Sequence, residues 1–148
     1  MLKKITIIST IAILSLTGCD KETPKCSDEQ TIELLKQVYH DVAFNLFAER
    51  VFPSMIRGGL SKAQLDKQME EVRVSLYKQV PALDRDKTDY VVESVITTST
   101  DKQTGSHTCK AKIKSVNKQT SETIGETEIA YQVELSDDGK QFFVSLIQ

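Results

Sequence analysis

The hydrophobic pattern changes period once along the chain, from a helical rhythm to a strand rhythm. Ile32, Leu35, Tyr39, Val42 and Leu46 recur at steps of three and four, the spacing of one helix face. Ser27-Asp28-Glu29-Gln30 precedes them. It reads as a capping box, with the Ser27 side chain accepting from the Gln30 amide. The pattern predicts a helix to about Arg50, stopped by Pro53. Arg57-Gly58-Gly59 is a break. Leu60-Ser61-Lys62-Ala63-Gln64 repeats the box, with Leu60 and Leu65 spaced as a hydrophobic staple. Leu65, Met69, Val72 and Leu76 then form one stripe, on a helix predicted to end near Val80, before Pro81. From Tyr90 the alternation is period two, rich in β-branched residues. Strands are predicted over Tyr90–Thr98, His107–Val116, Glu126–Leu135 and Lys140–Ile147. A turn at Asp101–Ser106, a polar loop at Asn117–Gly125 and a tight hairpin at Ser136–Gly139 join them. Cys109, Ala111 and Ile113 share one face of the second strand, and Lys110, Lys112 and Lys114 the other. On the third, Thr127, Ile129, Tyr131, Val133 and Leu135 face inward and Glu128, Gln132 and Glu134 outward. The outward lysines and glutamates should pair across the strands. The expected fold class is α+β: two N-terminal helices packed on one face of a four-strand antiparallel β-meander.

One group does not fit a single stripe. Phe44, Phe47 and Val51 lie on the side of the first helix opposite the Leu35 face, and Phe52, Met55 and Ile56 extend them. A helix apolar nearly all round is buried on more than one side, so the preferred reading is that the second helix covers the extra face. The candidate binding patch Phe44, Phe47, Val51 and Phe52 is the alternative, either as the anchor of a protein interface or as the lining of a cavity for a small apolar ligand.

The N-terminus carries the most specific signal. Lys3 and Lys4 precede an apolar run from Ile5 to Leu16, roughly 12 residues where a spanning helix needs about 20. A basic start, a short apolar middle and small residues at its end make a secretory signal. It ends in Leu16-Thr17-Gly18-Cys19, which resembles the lipobox of bacterial lipoproteins. The resemblance implies cleavage before Cys19, a diacylglycerol on its thiol and an acylated amino group. Residues 1–18 would then be the removed signal peptide, 19–26 a lipid-anchored tether and 27–148 a single periplasmic domain. Several acyl chains on one residue give stable anchoring, so the membrane itself becomes a partner. Asp20 after the lipid position favours inner-membrane retention in enterobacterial-type sorting, with the outer membrane as the alternative.

That reading leaves 130 of the 148 residues, enough for one modest core. They carry 17 basic and 21 acidic side chains. A mildly acidic, mixed surface argues against nucleic acid as a partner, because phosphate binding needs clustered Lys and Arg. With Cys19 taken by lipid, Cys26 and Cys109 remain as a pair in an exported chain, and a disulfide is the economical reading. In the expected fold Cys26, just before the first helix, meets Cys109 on the inward side of the second strand. Two cysteines without third and fourth ligands do not make a zinc site, and no metal or cofactor is expected. The chain has no G-x-S-x-G, H-E-x-x-H or phosphate loop. His40 and His107 have no partner visible in the sequence. Glu70-Glu71 falls on a polar helix face and Asp137-Asp138 in a turn. The expectation is a non-enzymatic, membrane-anchored periplasmic lipoprotein that binds another envelope protein or an incoming one, in an immunity, exclusion or envelope-associated role. A lipoprotein binding a small apolar ligand is the alternative.

Overall fold

The computed structural model describes residues 22–51 and 62–147. The signal segment, Cys19, Asp20, Phe52, Met55, Ile56, Leu60 and Ser61 lie outside them, as do the side chains of Phe47, Val51 and Leu65. Two helices, α1 (Glu29–Val51) and α2 (Lys62–Gln79), are followed by a 3-10 turn (Pro81–Leu83). Four strands come next: β1 (Thr88–Thr100), β2 (His107–Asn117), β3 (Thr123–Leu135) and β4 (Phe142–Ile147). They form one open sheet in the order β1-β2-β3-β4, with β3 and β4 antiparallel and Tyr131 opposite Leu146. The chain is α+β, as its periodicity requires. It divides into two compact units. One holds the chain up to Tyr39, Ser94–Ala111 and Ile129 onward, and the other holds His40–Glu93 and Lys112–Glu128.

Helix α1 begins later than its sequence suggests. The first helical bond runs from Ile32 N–H to the Asp28 carbonyl, at 2.9 Å, which makes Asp28 the N-cap residue in place of Ser27. The Asp28 carboxylate turns back to accept from Lys25 N–H at 2.8 Å, so the expected Ser27 box does not close. The reason is Cys26. It is bonded to Cys109, with the two Cα atoms 6.0 Å apart, and its carbonyl accepts a 2.8 Å bond from the Tyr131 hydroxyl. A chain pinned at residue 26 turns through Cys26-Ser27 before it can start a helix.

The buried face of α1 also differs. Thr31, Leu34, Leu35 and Val38 are buried, whereas Leu46 is 48% exposed. His40 and Phe44 are buried next, about 200° around the axis from that stripe at 100° per residue. One helix thus buries two opposite faces in succession. In the second unit, Phe44 packs with Val72 and Leu76 of α2, with Met69 and Tyr77 against them. Phe44 is therefore core, and it leaves the candidate patch. Val80 N–H closes α2 onto the Leu76 carbonyl at 2.7 Å, and Pro81 then starts the 3-10 turn.

In the sheet, Tyr131, Val133, Cys109, Ala111, Ile113, Phe142 and Val144 are buried, as alternation requires. Thr127 is not: β3 is exposed from Thr123 through Glu128. The outward charges pair, but with other partners than β2 and β3 alone supply. Lys112 meets Glu126 at 2.9 Å, and Lys114 meets Glu93 of β1 at 2.7 Å. Such exposed pairs contribute tenths of a kcal/mol each. Strand β1 holds Ser94 at φ 54°, the left-handed conformation typical of a bulge. Before it the even positions Thr88 and Tyr90 are buried. After it the odd position Thr97 points its hydroxyl to the Cys26 sulfur at 3.1 Å. The alternation slips by one at Ser94.

Two of the turns share one construction. Asp101 accepts from the Gln103 and Thr104 amides at 2.7 and 2.9 Å, and Asn117 accepts from Gln119 and Thr120 at 2.8 and 3.1 Å. Each then reaches a left-handed residue, Gly105 at φ 72° and Ser121 at φ 59°. The two amides hold the Asp101 carboxyl below the usual carboxylate range.

Tyr131 yields a test of the first unit. Its ring is fully buried and its hydroxyl donates to Cys26. Tyr131→Phe should cost about 1–3 kcal/mol, because the Cys26 carbonyl loses its partner. Burial pushes the Tyr131 hydroxyl from 10.0 up to about 12. The folded state thus holds this proton more tightly than the unfolded one. Its contribution is complete below pH 10.0 and is lost as pH rises toward about 12. Urea titrations between those values should show a steeper alkaline loss in the wild type than in Tyr131→Phe. Parallel curves would remove Tyr131 as the cause.

Candidate functional site

Two places gather chemistry, one in each unit. In the second unit, His40 of α1 is buried, and its Nε2 lies 2.8 Å from the Leu83 carbonyl. A carbonyl only accepts, so Nε2 carries a proton. Nδ1 lies 3.3 Å from the Asp41 carboxylate. Asp41 also meets Arg85 at 2.8 Å. The His40 hydrogen bond, with the Arg85 charge behind it, holds the Asp41 carboxyl below its ordinary value. The Tyr90 ring stands edge-on to His40 at 6.0 Å, and the Phe44 ring stacks at 6.4 Å.

His40 thus has a carboxylate partner that the sequence did not reveal. The arrangement is a brace. A general base needs a nitrogen free to take a proton from substrate, and both ring nitrogens of His40 are engaged within the fold. The brace ties α1 to the segment after α2. Around it Tyr90 Oη donates to the Ala82 carbonyl at 3.3 Å and Thr88 Oγ1 to the Pro81 carbonyl at 3.1 Å. Lys118 Nζ donates to the Arg85 carbonyl at 2.6 Å. Nothing in the spacing of His40 and Leu83 signals this contact, since they are 43 residues apart.

In the first unit, the β1–β2 and β3–β4 turns wall a cleft of about 480 Å³. Its lining is Thr104, Ser106, Glu134, Leu135, Ser136, Asp137 and Gly139. Hydroxyls and carboxylates predominate, so it does not resemble the apolar cavity considered from the sequence. Glu134 accepts from Gln132 Nε2 at 2.7 Å. His107, near this end of β2, shares a 2.9 Å hydrogen bond with Thr100 Oγ1.

Comparison with protein-family models, curated proteins and solved structures finds no match. The site therefore rests on its own geometry.

Cys26 and Cys109 are bonded, as their count and placement suggest. Phe44 is buried, with the Arg73 guanidinium 5.5 Å from its ring centroid, while the side chains of Phe47, Val51 and Phe52 lie outside the described residues. Leu46, one residue before Phe47, and Val74 of α2 are 48% and 49% exposed. Among the described residues no group of three or more His, Cys, Asp or Glu is placed to hold a metal ion. No described helix is long and apolar enough to cross a membrane.

Proposed function

We propose that this chain is a lipoprotein, anchored through Cys19 and facing the periplasm, that acts by binding another protein of the envelope or one entering it. The observation that carries the anchor is the use of the three cysteines. Cys26 and Cys109 are consumed by a disulfide, which fits an oxidising compartment. Cys19, at the end of a lipobox-like run, is left for the lipid. Asp20 favours the inner membrane.

In this reading α1 covers one face of the sheet. Buried Leu34, Leu35 and Val38 supply the helix side, and buried Tyr131, Val133, Phe142 and Val144 the sheet side. The disulfide and the Tyr131–Cys26 hydrogen bond join the two at the start of α1. A binding role is favoured over catalysis because His40 serves the fold. The docking region is placed at the C-terminal end of α1, where exposed Leu46 adjoins Phe47.

Two experiments test this. Intact-mass analysis of the protein from its native envelope should find Cys19 N-terminal and acylated, and Cys19→Ala should abolish membrane retention. A photo-crosslinking amino acid at Leu46, in the native envelope, should capture one defined protein, lost on Phe47→Asp with the fold intact. An acylated protein that captures nothing at native expression would end the protein-binding reading while keeping the anchor.

A further inference from the structure

The folded chain starts earlier than the expected tether allows. Thr23 is already buried, three residues before Cys26. Its Oγ1 lies 3.2 Å from the point a Cβ on Gly105 would occupy. Gly105 is left-handed at φ 72°, so a glycine both makes the β1–β2 turn and leaves room for Thr23. Cys26 is then locked by its disulfide and by Tyr131. What remains between a lipid on Cys19 and the fold is Asp20, Lys21 and Glu22. Four residue steps reach at most about 14 Å when fully extended.

Resting on the lipid-anchor reading above, we propose that the end of the first unit built from the β1–β2 and β3–β4 turns is the membrane-facing surface, with the lipid headgroup layer as its occupant. Thr23 fixes the exit point at Gly105, and the cleft lining joins Thr104 and Ser106 to Ser136, Asp137 and Gly139. The two turns expose Asp101, Lys102, Gln103, Asp137, Asp138 and Lys140. Acids outnumber bases there, so no attraction to anionic lipid pulls this face down. The short tether alone imposes the orientation, and the polar cleft opens at headgroup level.

The test uses the full-length lipidated protein in vesicles of phosphatidylethanolamine and phosphatidylglycerol containing a headgroup-nitroxide lipid. A fluorophore is placed through a genetically encoded azido amino acid at Gln103, or in a separate sample at Ile147. Ile147 is 42% exposed on β4, five strand residues beyond Phe142, or roughly 17 Å. Quenching at Gln103 should exceed that at Ile147 at least twofold. Inserting about 20 Gly-Ser residues between Lys21 and Glu22 should erase the difference. Equal quenching in the native-length protein, or stronger quenching at Ile147, would overturn the orientation. A difference that survives the insertion would overturn the tether as its cause. Intact mass of the same samples separates these outcomes from failure of the anchor, since an unacylated Cys19 would sink both readings.

Discussion

Phe44→Asp should leave the protein largely unfolded at 25 °C, and Phe44→Ala should lower its unfolding free energy by about 3–5 kcal/mol. Phe44 is 5% exposed and fills the space beside Val72 and Leu76, with Met69 and Tyr77 closing around it. Truncation to Ala removes both the buried ring and its packing partners' contacts. An aspartate adds the cost of placing a carboxylate among apolar groups, several kcal/mol more unless it finds a charge. Arg73 is the nearest candidate, but its guanidinium stands over the ring face. That cation–π contact is itself worth only about 0.5–1 kcal/mol at an exposed site. Small domains hold about 5–15 kcal/mol in total, so the aspartate consumes most of it. Urea denaturation followed by circular dichroism checks both variants. A Phe44→Asp protein that unfolds at the wild-type midpoint would mean that α2 does not cover this face of α1. For this reason Phe47, rather than Phe44, is the position at which a charge tests docking.

The second large effect is loss of the disulfide. Cys26 and Cys109 are 83 residues apart, and a closed loop of that size restricts the unfolded chain by about 4 kcal/mol on the loop-entropy account. The paired replacement Cys26→Ala and Cys109→Ala should lower Tm by roughly 15 °C, at about 4 °C per kcal/mol for a domain of this length. It also removes the anchor that makes the chain turn before Asp28, so the first turn of α1 should fray. Calorimetry of the double variant beside the wild type, with and without reductant, gives the answer. A wild type whose Tm ignores reductant and equals that of the double variant would remove the bridge from the stability of the fold.

The sequence carried the element order because period is a local property. Leu35 on α1, Val72 and Leu76 on α2, and Tyr131 and Val133 on β3 all sit where three-and-four or alternate spacing puts a core face, whereas Leu34 and Val38, also buried on α1, lie outside the stripe that spacing suggests. Its failures come from contacts distant in the chain. The N-cap moved from Ser27 to Asp28 because Cys109 and Tyr131 hold Cys26. Leu46 fell outside the core because α1 changes its buried face near His40, and the partner of that new face lies on α2. Thr127 continues the alternation of β3 perfectly well, yet its half of the strand is exposed. Periodicity fixes which residues share a face and not whether that face is covered. The same holds for the site. The cysteine pair was legible from count and compartment. The bonding of His40 to Leu83 and the seat of Thr23 on Gly105 were not, since both depend on segments far apart in the chain.

Ser94 bears on how copies of this protein behave when crowded. Strand β1 is an edge of the sheet, and from Ser94 to Thr100 it carries no charge and is mostly exposed. A long, flat strand of β-branched residues with free backbone groups is a template for adding another chain, and repeated addition is how fibres grow. The left-handed residue at 94 breaks that template. A second strand in register with Val95–Thr100 falls out of register with Thr88–Glu93, because the alternation slips between them. Each side offers about six residues or fewer, too short a run to hold a stranger firmly. Ser94 thus shortens the template that this edge offers to another chain.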